Sequence, residues 1–154
     1  MIRYALVATI LAVTASSAAA QSRVQTGVLE CITLPSVGMI VGSVREMDCI
    51  FKPTIGPQQS YSGTQGRIGI DVGIRDRAGL AWAVFSPTVQ IGAGELAGNY
   101  GGVSADAAVG LGVGANALIG GSNNSFALQP LSLEGQVGLS AGGGITGLTL
   151  TYRR

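Results

Sequence analysis

The amino-acid sequence predicts a mainly β protein, an antiparallel barrel or sandwich of about eight or nine strands behind an N-terminal signal-peptide helix. Three observations carry that prediction. Glycine supplies 25 of the 154 residues, more than twice the usual share of about 7%, and an interior glycine costs a helix roughly 1 kcal/mol relative to alanine. Apolar side chains recur at every second position in several stretches, which is the period of a strand. Beyond the leader, no stretch carries the apolar stripe of an amphipathic helix.

The elements follow in chain order. Arg3 gives a short basic start, Ala5 to Thr14 an apolar run, and Ala18 to Ala20 the small side chains that a signal peptidase requires, so cleavage is predicted after Ala20. The run is too short to cross about 30 Å of hydrocarbon. Residues 1–20 are therefore read as a removed leader, and residues 21–154 as a single glycine-rich β domain exported to an oxidising compartment. In that compartment Cys31 and Cys49, the only two cysteines, are expected to form a structural disulfide. Closing the loop between them contributes about 3 kcal/mol by restricting the unfolded chain.

Strands are predicted over Thr26 to Leu34, Met39 to Val44, Asp48 to Lys52, Tyr61 to Ile74, Leu80 to Ser86, Glu95 to Tyr100, Val109 to Ile119, Leu131 to Ala141 and Ile145 to Tyr152. Turn signals separate them at Leu34 to Ser36, Pro53 to Pro57, Arg75 to Gly79, Gly101 to Gly102 and Gly120 to Asn124. A short helix is compatible with Ser104 to Ala108. From Val109 onward the odd positions are aliphatic, whereas Gly110, Gly112, Gly114 and Asn116 fill the even ones. One face of that strand is nearly bare, which suits close approach by another backbone, a bent barrel wall or a ligand chain. Those four residues are the candidate ligand or packing face.

Composition removes several classes of function. The chain has no histidine, so no imidazole serves as metal ligand, general base or proton switch. Its 9 basic and 8 acidic residues become equal in number once Arg3 leaves, and no basic excess is left to hold a nucleic-acid backbone. Gly112 to Ala117 matches the loose G-x-G-x-x-A dinucleotide pattern, but it lies within a period-two run with no helix after it and is read as a glycine-faced strand. The carboxylates Glu30, Glu46, Asp48, Asp71, Asp76, Glu95, Asp106 and Glu134 sit in no motif that pairs two of them for hydrolysis. Lys52, the only lysine, adjoins Pro53 and is expected to face solvent rather than activate a serine. Trp82 is read as a core aromatic, Arg75 to Arg77 as an exposed charged turn, and Tyr61 and Tyr100 as rings that cover bare glycine backbone. The chain is read as non-enzymatic, with no catalytic residue, metal ligand or cofactor.

Cys31 and Cys49, Tyr61 to Gly63, Gly69 to Gly73, Leu80 to Val84, Leu96 to Gly101, Gly112 to Gly121 and Leu128 to Leu131 together resemble the domain-of-unknown-function 992 (DUF992) family of exported bacterial proteins. The likeness covers nearly the whole mature chain. It implies a Gram-negative periplasmic location and brings no activity or catalytic residues with it. Gly69 to Gly73 and Gly102 to Gly110 are also similar to the glycine-rich strands of SYLF lipid-binding domains. The basic amphipathic start that head-group binding calls for is missing.

Three readings of function follow. The first is a periplasmic β domain that binds an apolar or lipid-like ligand, or the envelope itself, through its glycine-faced strands. The second is a structural or protein-partner module of the envelope, in which those strands pack internally or against another chain. The third, a small outer-membrane barrel, ranks lower because aromatic residues make up 5% of the chain, too few for two interfacial girdles.

Overall fold

The computed structural model describes residues 22–37, 43–68, 74–75, 79–102, 114, 117–131 and 144–154. The leader, Gly110, Gly112, Asn116, the helix considered over Ser104 to Ala108 and all but the first residue of the strand expected from Leu131 to Ala141 lie outside them. The strands are β1 (Val24–Thr33), β2 (Ser36–Val37), β3 (Ser43–Pro53), β4 (Gln59–Ile68), β5 (Ile74–Arg75), β6 (Gly79–Ser86), β7 (Gly98–Gly102), β8 (Leu118–Gly120), β9 (Phe126–Pro130) and β10 (Gly144–Arg153). Among the described residues, eight of them close a barrel in the order β1-β3-β4-β10-β7-β8-β9-β6, and β2 pairs with β5 separately. Every pairing is antiparallel. The fold is therefore the barrel rather than the sandwich, and closure between β1 and β6 leaves no strand edge along this wall.

Alternation decides what lies inside. Leu29 and Cys31 of β1, Met47, Cys49 and Phe51 of β3, Tyr61 of β4, Trp82 and Val84 of β6, and Leu148 and Leu150 of β10 are all at most 2% exposed. An eight-stranded barrel is just wide enough for side chains to fill its centre. Trp82, Tyr61, Phe51 and Met47 are among the largest that fill this one, each burial contributing about 1.5–3 kcal/mol. Trp82 is the core aromatic the sequence predicts. The outward positions of the same strands carry Glu30, Glu46, Asp48, Lys52, Ser60, Thr149, Thr151 and Arg153. Ile32, Val44 and Ile50 are exposed on the same outer face, so the wall is apolar within and mixed outside.

Several boundaries differ from the sequence reading, each for a physical reason. Met39 to Val44 and Asp48 to Lys52 were separate expectations, yet one strand runs unbroken through Ser43–Pro53. The apolar alternation stops at Arg45 because that arginine points inward. Gly101 and Gly102 form no turn: they pair with Ile119 and Leu118 of β8, and Gly101 also with Gly147 of β10. Glu95 and Leu96 precede β7 in a turn closed by hydrogen bonds from Glu95 N–H to Gly92 O and from Ala97 N–H to Gly94 O. β9 carries no apolar alternation, because Phe126, Ala127 and Leu128 are all buried.

Candidate functional site

Strand direction gives the barrel two unlike ends. β1, β4, β7 and β9 run toward one end, here called the mouth, and β3, β6, β8 and β10 run away from it toward the base. Four connections leave the mouth: residues 34–42, 69–78, 103–117 and 131–143. Three leave the base: residues 54–58, 87–97 and 121–125. At the mouth, residues 69–78 join β4 to β6 and residues 131–143 join β9 to β10, pairs that are not neighbours in the barrel. The β2–β5 ladder, with Ser36 opposite Arg75 and Val37 opposite Ile74, ties the first mouth connection to the second. Eleven of the 25 glycines fall in these four connections, whose charged residues are Asp71, Arg75, Asp76, Arg77, Asp106 and Glu134.

Just inside the mouth the barrel interior turns polar on one side. Arg45 of β3 and Gln65 of β4 are direct cross-strand partners. They are 6% and 2% exposed, and Thr33, the last residue of β1, is 2% exposed beside them. Leu80 of β6, the strand next to β1, and Leu118 of β8, across the barrel from β3, also face the interior. A cation and two hydrogen-bonding groups are therefore buried in the same interior as these aliphatic side chains. The sequence reading passed over these three polar residues. Counting back by twos from Phe51, Cys49 and Met47 places Arg45 on the inner face and would have found it.

The base is closed by the chain itself. Ile91 and Leu96 join the core from residues 87–97. Gln59 Nε2 donates to the carbonyls of Ile91 and Gly92 at 3.4 and 3.3 Å, while its Oε1 accepts from the Tyr61 hydroxyl at 2.6 Å and from Gly94 N–H at 3.2 Å. The Tyr100 hydroxyl donates to Leu96 O at 2.7 Å. Burial pushes the Tyr61 phenol up to about 12. Burial raises Tyr100 further still. Tyr100 meets the expectation of a ring against bare backbone, since its hydroxyl lies 2.6 Å from where a Cβ on Gly121 would stand. Tyr61 instead packs on the Tyr152 ring, with centroids 5.5 Å apart.

The remaining predicted residues can be placed. Cys31 and Cys49 form the disulfide, directly opposite one another on β1 and β3 with Cα atoms 4.0 Å apart. Gly114 lies in irregular backbone: its N–H donates to Gln129 Oε1 at 2.9 Å, and its carbonyl accepts from Ala117 N–H at 3.3 Å. By the alternation of β9, Gln129 stands on the outside of the wall, so at this glycine the chain meets the outer surface. Lys52 is solvent-facing as expected and pairs with Glu30 at 2.6 Å. Asp48 pairs with Arg153 at 2.7 Å. Among the described residues no group of three His, Cys, Asp or Glu side chains could hold a metal ion.

The comparison with known families agrees with the sequence likeness. The chain belongs to the DUF992 family. That family, described as a protein of unknown function, has a model that matches residues 10–151, nearly the entire chain. No curated protein and no solved structure matches it. The DUF992 fold is thus presented by a closed, filled antiparallel barrel with a disulfide in its wall.

Proposed function

We propose that this DUF992 protein is an exported, non-enzymatic periplasmic barrel that binds an apolar or lipid-like component of the envelope at its mouth. One observation carries the reading: the two longest connections, residues 103–117 and 131–143, leave the same end of a barrel whose centre is already filled by its own side chains. A rigid scaffold that gathers its long loops at one end is the common arrangement of a binding module. Leu131, 55% exposed at the start of the fourth mouth connection, offers an apolar contact at that end. Export is supported by the leader pattern before Gln21 and by the disulfide, a bond that persists in oxidising compartments.

The test is flotation of the mature chain, residues 21–154, with phosphatidylethanolamine–phosphatidylglycerol vesicles. The protein is expected to rise with the vesicles, and a Leu131→Ser variant, altered at an exposed side chain of the fourth mouth connection, to rise several-fold less at an unchanged unfolding midpoint. Absence of flotation, together with no retained lipid in native mass spectrometry, would overturn the reading. The filled interior favours the second reading as well, a protein-partner module. Recovery of one stoichiometric envelope protein with the mature chain, and no lipid, would decide for it.

A further inference from the structure

We draw no further inference here: the strongest candidate, the groove of about 340 Å³ along the outside of β3, β4, β10 and β7 that Val44, Thr64, Gly66, Asn99, Gly147 and Thr149 line, is an open surface patch, and nothing in the structure shows what covers it.

Discussion

Cys31 and Cys49 occupy opposite positions of the β1–β3 ladder, and their disulfide closes on the inner face of the barrel, where each is 2% exposed. The bond therefore staples a strand pair that the register already specifies, with Met47 of the same face beside it. Replacing both cysteines with alanine is expected to lower stability by about 3 kcal/mol, largely through the freed unfolded chain. Chemical denaturation measures the loss. Alkylation after mild reductant should label the folded protein far more slowly than the urea-unfolded protein, because neither sulfur is open to solvent.

Two glycines of the β7–β8 pair, Gly101 toward the mouth and Gly120 toward the base, should respond oppositely to the same change. A Cβ on Gly120 would collide with the Asn99 carbonyl oxygen, which is backbone held in the ladder, so Gly120→Ala is expected to cost more than about 3 kcal/mol or to block folding. A Cβ on Gly101 meets nothing within 4 Å. Gly101→Ala should leave stability within about 0.5 kcal/mol of the parent, or raise it. Thermal unfolding of the two variants side by side checks the contrast.

The Gln59 side chain fastens the base loop by three hydrogen bonds and accepts a fourth from Tyr61 of its own strand. Gln59→Leu keeps much of the volume but leaves the Tyr61 hydroxyl and the Gly94 N–H without their acceptor. The expected cost is about 2 kcal/mol. Hydrogen exchange should show the Gly94 amide opening faster, while the amides of β3 and β4 slow or quicken only with global stability.

The two buried tyrosines fix a pH dependence. Their folded pKa values lie above the unfolded value of about 10, Tyr61 at about 12 and Tyr100 beyond it. The unfolded chain then releases phenolic protons before the folded one does. Their contribution is complete below about pH 10 and is lost as pH climbs toward the folded values, at about 1.4 kcal/mol per pH unit for each tyrosine. Urea unfolding across that window should show the decline, with a shallower slope in Tyr61→Phe. A flat profile would contradict the burial of these phenols.

The sequence reading reached the β class, the disulfide and Trp82 because each depends on local period or on residue identity. Closure did not show, since the pairing of Leu29 with Trp82 across β1 and β6 joins residues far apart in the chain. Arg45 hid the middle of a single strand by placing a charge on its buried face. Ala127 hid β9 for the opposite reason: its outward side chain is itself covered and 0% exposed, so the polar half of the alternation is absent. The polar residues near the mouth escaped notice because Thr33, Arg45 and Gln65 lie on three strands whose pairing no local period reveals.

Binding at the mouth is the claim on which the functional account rests, and hydrogen exchange of the mature chain with and without lipid vesicles tests it most directly. Added protection should appear in residues 34–42, 69–78, 103–117 and 131–143 and leave residues 54–58, 87–97 and 121–125 unchanged. Protection at the base, along the outer faces of β3, β4 and β10, or nowhere in the chain would contradict it.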